Sequence, residues 1–200
     1  MTLITREGTF MLRDLIVSNR SCRRFHEEAV VDRQTLEELV DLARLSASAG
    51  NLQPLKYILS HEPQENASIF PHLAWAAYLK EWAGPSPGER PAAYIIILGD
   101  TQISKGFGCD HGIAAQSILL GAREKGLAGC MIGLIKREEL REAMAIPSRY
   151  EILLVIALGK PREHVVIDEV GPSSDIKYWR DRDGVHHVPK RALSEILLDL

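Results

Sequence analysis

Four segments carry side chains whose types and spacing could bind a ligand. The first, residues 19–25 (Asn-Arg-Ser-Cys-Arg-Arg-Phe), has three guanidinium groups and a hydroxyl close together. Arginine binds phosphate through a planar, bidentate fork, and serine adds a neutral donor. The pattern is typical of an anion site, although a solvated basic turn that binds nothing would also look like this.

The second segment, residues 46–54 (Ser-Ala-Ser-Ala-Gly-Asn-Leu-Gln-Pro), lies between a predicted helix end and a predicted strand. Its small residues would let a flat ligand approach the backbone closely. Asn51 and Gln53 each offer a donor and an acceptor, which suits a ring edge that mixes C=O and N–H groups. The alternative is a helix end in which Asn and Gly serve only turn geometry.

The third and fourth segments are less specific. Residues 126–133 are glycine-rich but match neither dinucleotide nor phosphate loops, so a strand thinned by close packing is an alternative. Residues 178–191 contain Asp183-Gly184, a hairpin signal, and end in the basic pair Lys190 and Arg191. The adjacent His186 and His187 should face opposite sides of a strand, and we expect both at the surface.

Other chemistry finds no support in the sequence. The G-x-S-x-G and H-E-x-x-H motifs of hydrolases are missing. His111 beside Asp110 does not face it on a helix, and Asp110 is expected to serve the polarity of a helix N-terminus. Trp75, Tyr78 and Trp82 form an aromatic stripe at helical spacing, which would suit a core, a dimer contact or a substrate pocket. We therefore assign no catalytic acid or base.

Composition limits the class of protein. The 200 residues carry a formal net charge of −3 and are 46% hydrophobic, as expected of a single globular domain over residues 1–200. The charge gives no footprint for nucleic acid. The three widely spaced cysteines predict reduced thiols and no metal site. With no signal segment and no apolar run of membrane-spanning length, we expect a cytoplasmic protein.

Helical and extended patterns interleave along the chain. Helices are predicted over residues 11–19, from an N-cap at Asp32 to 45, and over 71–82, 112–125 and 137–145. Strands are predicted over residues 56–60, 92–98, 128–134 and 152–158. The tail is expected to be irregular until a short amphipathic stretch over 191–200. The pattern indicates an α+β or α/β fold around a small central sheet.

The order of these segments resembles the FMN-dependent nitroreductase family. Residues 19–25 resemble its R-R-S-x-R-x-F motif and 47–54 its P-S-A-G-N-x-Q-P-W segment. Residues 110–127 are similar to its long central helix, and 130–133 and 152–161 to its later strands. Asn19, Ala47 and Leu55 depart from the usual Arg, Pro and Trp, and residues 62–90 align with no motif.

The resemblance implies an α+β fold, with a central, mostly antiparallel sheet flanked by helices, in a homodimer with shared flavin sites. It implies FMN, with phosphate and ribityl contacts from one chain, a loop from the partner chain, and backbone contacts to the ring. These three sets are Arg20, Ser21 and Arg23 helped by Lys190 or Arg191; Ser48, Ala49, Gly50, Asn51 and Gln53; and Ile132 and Gly133.

The implied activity is hydride transfer from NAD(P)H through bound FMN to an acceptor such as a nitroaromatic or quinone, with ping-pong kinetics. Neither the acceptor nor the choice between NADH and NADPH follows from the residues. Three alternatives stay open: a flavin-storing or regulatory protein, a relative that uses flavin for dehalogenation or fragments the flavin, and a flavin-free interaction domain.

Overall fold

The computed structural model describes residues 11–171 and 175–198. Its helices are α1 (Leu12–Ser18), α2 (Arg33–Arg44), α3 (Pro63–Ile69), α4 (Asp110–Glu124), α5 (Arg137–Ala143) and α6 (Leu193–Ile196). Its strands are β1 (Phe25–His26), β2 (Leu55–Ser60), β3 (Ala93–Asp100), β4 (Ala128–Ile132), β5 (Tyr150–Pro161), β6 (Val165–Val170), β7 (Trp179–Arg180) and β8 (His186–Arg191).

The central sheet is antiparallel, as the family resemblance implies. Its strands follow the order β1-β5-β3-β2, and β4 also pairs with the long strand β5. Every residue of β3 is buried, because helices or loops cover both faces of the sheet. The predicted α+β fold with helices around a central sheet is therefore confirmed.

Alternation along β3 divides the core into two apolar clusters. Ile95 and Ile97 pack in the cluster that contains buried side chains of α2 and α4. Tyr94, Ile96 and Leu98 belong to the cluster on the other face, which includes residues of α3 and α5. Because the side-chain period of a strand is two residues, one strand anchors both layers.

Helix α2 begins where the sequence places its start. The side chain of Asp32 accepts a hydrogen bond from the Thr35 backbone N–H at 2.7 Å, which satisfies one of the unpaired donors of the first turn. The apolar positions Leu36, Leu39 and Ala43 are buried along one face. Capping and periodicity agree here, and the predicted helix is confirmed.

The glycine-rich segment is thin for a packing reason. A Cβ atom on Gly129 would lie 2.3 Å from the carbonyl oxygen of Ala157 on the neighbouring strand β5. No side chain fits at that distance, so the backbones of β4 and β5 can pair there only with glycine. This close-packing role is the alternative that the sequence left open.

Residues 71–82 are not the predicted helix. A helix forms earlier, over Pro63–Ile69, and a 3₁₀ turn follows over Phe70–His72. The aromatic side chains then contact separate partners: Trp75 lies 5.8 Å from the Phe70 ring, and Tyr78 lies 4.9 Å from the Tyr178 ring. Their helical spacing reflects these tertiary contacts rather than one helix face.

The tail is more ordered than the sequence predicts. Strands β6 and β8 pair in parallel, and β7 pairs antiparallel with β8 in a second sheet. Asp183-Gly184 turns the chain between β7 and β8, with Gly184 at φ +80°, so the predicted hairpin is confirmed. The expectation of an irregular tail was wrong for these strands. Within residues 191–200, α6 is confirmed, and residues 199–200 lie outside the described chain.

Candidate functional site

Several predicted residues meet at one cavity of about 170 Å³. Arg23, from the segment between α1 and β1, lines it together with Ile132 and Gly133 at the end of β4. Trp75 lines it as well, and its buried indole N–H has no partner among the described residues. The cavity is therefore bordered by a cation, by backbone groups that follow a strand and by an unpartnered donor.

Residues far along the chain orient Arg23. Its backbone N–H donates to Oε2 of Glu163 at 2.8 Å, and its guanidinium NH1 lies 3.3 Å from Nε2 of His186. The guanidinium carbon lies 4.9 Å from the centre of the Tyr178 ring, within cation–π range. The side chains of Glu163 and His186 have no exposed surface. Arg23 is thus held by a fully buried polar pair.

The same carboxylate binds a second guanidinium. Nε of Arg180 donates to Oε1 of Glu163 at 2.9 Å, and the Arg180 guanidinium lies 4.2 Å from the Trp82 ring centre. The backbone N–H of Tyr78 donates to the Tyr178 hydroxyl at 3.3 Å. We call residues 178–191, which contain β7 and β8, the C-terminal hairpin. Its contacts reach both the irregular 74–82 region and Arg23.

The prediction of a surface position for His186 was wrong. Its side chain is fully buried, and burial lowers its pKa to about 4. Because a guanidinium can only donate, Nε2 of His186 accepts the hydrogen bond from Arg23, which places the ring proton on Nδ1. His187 faces the other way, as predicted: it stacks on Trp179 at 4.1 Å and lies 2.9 Å from Asp168.

Arg20 lies elsewhere. With Cys22 and Arg123 it lines a different cavity of about 370 Å³, and its NH2 group donates to the carbonyl of Ile16 at 2.8 Å. Burial lowers the pKa of the Arg20 side chain. Residues 20 and 22 face one cavity, and residue 23 faces another. This is the alternation that is expected of side chains along an extended chain. Arg20 and Arg23 are close in sequence, but they line different cavities. Ser21, which lies between them, is exposed.

The segment with Ser48 and Gln53 is built around Asp110, a residue that is 4% exposed. The Ser48 hydroxyl donates to Oδ2 of Asp110 at 2.6 Å, and the Ala49 N–H donates to Oδ1 at 3.0 Å. The Gln53 N–H in turn donates to the Ser48 hydroxyl at 2.9 Å. Asp110 lies in the first turn of α4, where the helix dipole favours its charge, so it serves both the helix and the loop.

The loop holds an unusual backbone. Gly50, Asn51 and Gln53 have φ values of +57°, +54° and +51°, in the left-handed region that favours glycine. The Gln53 side-chain amide donates to the Asn51 carbonyl oxygens, backbone and side chain, at 3.2 Å. Asn51 and Gln53 are both exposed. Strained backbone fixed by a buried anchor is common where a loop presents polar groups to a ligand.

This loop borders a cavity of its own, of about 200 Å³. Ser48, Gln53, Asp110 and Tyr57 line it, and burial raises the pKa of Tyr57 to about 12. It shares no lining residue with the cavity at Arg23. One chain therefore presents the two predicted halves of the site on separate surfaces.

Lys190 and Arg191 are exposed at the end of β8. Lys190 stands opposite Glu169 of β6, and NH1 of Arg191 lies 3.6 Å from Oε2 of Glu195. The strand that begins at His186, beside Arg23, thus ends at this basic pair.

Sequence reasoning missed Glu163 and the anchoring role of Asp110. An acidic residue opening a helix that is otherwise apolar on most sides is a signal that could have marked Asp110 as buried. Nothing local marks Glu163, because its partners lie 140 and 17 residues away along the chain.

Two of the three cysteines have low reactivity because they are buried. Cys22 and Cys130 are buried, and burial raises their pKa values to about 11 and 12, while Cys109 is exposed.

Within residues 11–171 and 175–198, no cluster of three His, Cys, Asp or Glu side chains could hold a metal ion. Over the same described ranges, no helix is both long and apolar enough to span a membrane.

Comparison with known proteins gives a consistent result. A sequence model of the nitroreductase family matches residues 16–89 and 90–160. An Archaeoglobus fulgidus protein with the provisional name NADH dehydrogenase/NAD(P)H nitroreductase is 27% identical over 157 residues, covering 74% of this chain and 84% of that protein. The 4-nitrobenzoate reductase of Pseudomonas putida is 20% identical, covering 78% and 88%.

Solved structures share the fold. A nitroreductase family protein from Streptococcus pneumoniae superposes with a TM-score of 0.68 at 16% identity, covering 95% of this chain and all of that one. An FMN-dependent nitroreductase from Clostridium difficile superposes with a TM-score of 0.60 at 20% identity, covering 75% and 87%.

Proposed function

Because this chain belongs to the nitroreductase family, we propose that it is a flavoenzyme that passes a hydride from NAD(P)H through bound FMN to a small acceptor such as a nitroaromatic or quinone. One observation carries the proposal: Arg23, Ile132 and Gly133, which the family resemblance assigns to one cofactor, line one cavity. The relatives named for NAD(P)H and for nitrobenzoate support this reaction class.

The chemistry of the cavity fits FMN. The cofactor has a dianionic phosphate, a polyol and a flat ring whose edge mixes acceptors and donors. Arg23 supplies a cation, Trp75 a buried N–H without a described partner, and Gly133 a backbone without a side chain. In this reaction class FMN supplies the hydride chemistry when bound, and the protein supplies orientation and electrostatics.

For the phosphate and ribityl end we propose Ser21 and Arg23, helped by Lys190 or Arg191. Arg20 belongs to the same proposal on the resemblance alone, and its place in another cavity makes it the assignment most in need of a test. Ile132 and Gly133 would meet the ring through backbone groups. The fixed positive charge of Arg23 would stabilise the negative charge of the phosphate.

We further propose that two chains complete each site. The cavity at Arg23 is about 170 Å³, below the roughly 300 Å³ at which ligand pockets usually begin. The loop from Ser48 to Gln53, with its exposed Asn51, would close it from the partner chain. A homodimer of this kind would join the two halves that one chain keeps apart.

The first experiment is the visible spectrum of the freshly purified protein. We expect a yellow protein that releases FMN, not FAD, on heating, and that oxidises NADH or NADPH when a nitroaromatic or quinone is added. A colourless protein that takes up no added FMN contradicts the proposal. A yellow protein without turnover would leave a flavin-storing protein as the function.

Paired variants test the assigned residues. Arg23→Gln should weaken FMN by about tenfold or more, because one charge-assisted hydrogen bond is worth roughly 1.5–3 kcal/mol. Riboflavin, which lacks the phosphate, should be affected less. Arg20→Gln is the comparison: an equal loss for both ligands would assign Arg20 to folding rather than to the phosphate.

A mixed-subunit experiment tests the shared site. One chain carries Arg23→Gln, and the other carries Asn51→Ala with Gln53→Ala. In the heterodimer one site has every lesion and the other has none, so about half of the flavin capacity should return. Flavin content that stays at the level of the two parent variants, or a monomer that binds FMN at full affinity, would overturn the shared site.

A further inference from the structure

The C-terminal hairpin fixes the direction of the Arg23 side chain. Nε2 of His186 accepts from the guanidinium at 3.3 Å, and the Tyr178 ring lies under it at 4.9 Å. Glu163 holds the Arg23 backbone at 2.8 Å. A free arginine side chain has many rotamers and loses their entropy on binding. These contacts remove that freedom before any ligand arrives.

The charged groups around Arg23 favour the binding of an anion. They are the guanidinium groups of Arg23 and Arg180 and the carboxylate of Glu163. Glu163 pairs with the Arg180 guanidinium and accepts only the backbone N–H of Arg23, and His186 is neutral because its Nε2 accepts a hydrogen bond. The two guanidinium groups therefore outnumber the carboxylate within the cluster. A partly buried cation without a full counter-charge is costly, and an anionic ligand would relieve that cost.

His186 can accept a hydrogen bond from the Arg23 guanidinium only in its neutral form. Protonation at Nε2 would turn its acceptor into a donor that faces a cation. The groups around the ring are Glu163, which favours protonation, and Arg23, Arg180 and His187, which oppose it, with the Tyr178 ring at 5.3 Å. The imidazole therefore stays an acceptor for Arg23 at neutral pH.

We propose that His186 and Glu163 are positioning residues that hold the Arg23 guanidinium toward its cavity for an anionic or electron-rich part of the ligand. This inference rests on the proposed FMN site for its ligand, but not for its geometry. The face of the C-terminal hairpin that carries His186 is thereby part of the binding machinery, and the opposite face, with His187, is not.

A double-mutant cycle tests the proposal. His186→Phe keeps an aromatic ring against Tyr178 but removes the acceptor, and should weaken FMN by about tenfold, in line with the loss of a hydrogen bond to a charged group. In the Arg23→Gln background the same change should weaken FMN by less than about twofold, because the residue through which it acts is gone. His186→Gln, whose amide oxygen can reach the guanidinium, should recover most of the affinity.

His187→Phe is the matched control. This neighbour faces away from Arg23 and contacts Trp179 and Asp168. We expect it to leave FMN affinity unchanged even if the protein becomes less stable. Equal losses for His186→Phe in both Arg23 backgrounds, or equal losses for the two histidine variants, would show a structural role only and overturn the proposal.

A second measurement needs no flavin and no histidine substitution. NMR titration of the ring protons gives the pKa of His186 in the wild type and in Arg23→Gln. Removing a positive charge that opposes protonation should raise this pKa, while the pKa of His187 should change little. An unchanged pKa of His186 overturns the proposal. If the wild type binds no FMN, the proposed function fails, yet this titration still decides whether His186 and Arg23 are coupled.

Discussion

The segments 19–25 and 46–54 are both irregular, and one buried carboxylate holds each, but the two carboxylates are satisfied in different ways. Glu163 accepts from the guanidinium of Arg180 and from the backbone of Arg23, beside a second guanidinium. Asp110 accepts from the hydroxyl of Ser48 and the N–H of Ala49, within the first turn of a helix. One carboxylate is paired with a full cation and lies near a second, whereas neutral donors and a helix dipole surround the other.

The difference decides what each region loses when its carboxylate is removed. Without Glu163, the partly buried Arg180 guanidinium loses the carboxylate that it is paired with, and the contacts between the C-terminal hairpin and the rest of the chain weaken. Without Asp110, the groups left behind are neutral donors on an exposed loop, which water can satisfy. We therefore expect the loss of Glu163 to lower the free energy of unfolding more than the loss of Asp110.

The largest effect is expected from Glu163→Ala. Breaking a buried ion pair by removing one partner costs about 3–5 kcal/mol, so the free energy of unfolding, measured with urea, should fall by that amount. Glu163→Gln should cost less, because its amide oxygen can still accept from Arg23. Glu138→Ala, at a side chain that is 82% exposed in a surface pair, is the control and should change stability by less than about 0.5 kcal/mol. Similar costs at the two sites would contradict the structure.

Asp110→Ala tests the other carboxylate. Losing its hydrogen bonds to Ser48 and Ala49 should lower the free energy of unfolding by about 2–3 kcal/mol. Gln116→Ala, exposed on the same helix, should have almost no effect. If Asp110→Ala cost more than Glu163→Ala, the contrast between the two regions would be reversed.

Acid should weaken the first region through His186. Its pKa falls from an ordinary 6.5 to about 4 on folding, so the unfolded chain binds the proton more readily. The resulting stability is complete above pH 6.5 and is lost as the pH falls toward 4. One pKa unit is about 1.4 kcal/mol, and with some solvent screening we expect a loss of about 2 kcal/mol. In His186→Phe this part of the pH dependence of unfolding should vanish; an unaltered profile would show that His186 is not buried and neutral.

The smallest effect concerns the backbone of the second region. Gly50→Ala should destabilise by about 1 kcal/mol, because φ is +57° there. Gly112→Ala is the matched control: it lies in α4 with no atom within 4 Å of an added Cβ. Alanine should stabilise that helix by roughly 0.5–1 kcal/mol. The two alanine variants should therefore move thermal unfolding in opposite directions.

Local signals were sufficient for much of the fold. The N-cap Asp32, the apolar periodicity of α2 and the continuous apolar run of β3 are each set by neighbouring residues, and each prediction is confirmed. The helix over 71–82 failed because Trp75, Tyr78 and Trp82 owe their spacing to separate contacts, one with Phe70 and two with the C-terminal hairpin. Such contacts cannot be read from a periodicity.

The candidate site, like the fold, could be predicted in part from the sequence and in part not. Arg23, Ile132 and Gly133 could be placed together because ordered motifs point to one ligand. His186 and Glu163 could not, since their roles depend on a carboxylate and an arginine brought together across 140 residues. The roles of Arg20, Lys190 and the loop at Asn51 stay predictions, because they depend on a ligand and a second chain.

The burial of two of the three cysteines has a practical consequence for labelling. With pKa values near 11 and 12, Cys22 and Cys130 are almost entirely in the thiol form at neutral pH, and they are shielded as well. Cys109 is exposed and directly precedes Asp110, the anchor of the Ser48 loop. A maleimide fluorophore should therefore attach to the native protein at one position beside that loop, where a change in emission with protein concentration would test whether a second chain packs against the loop.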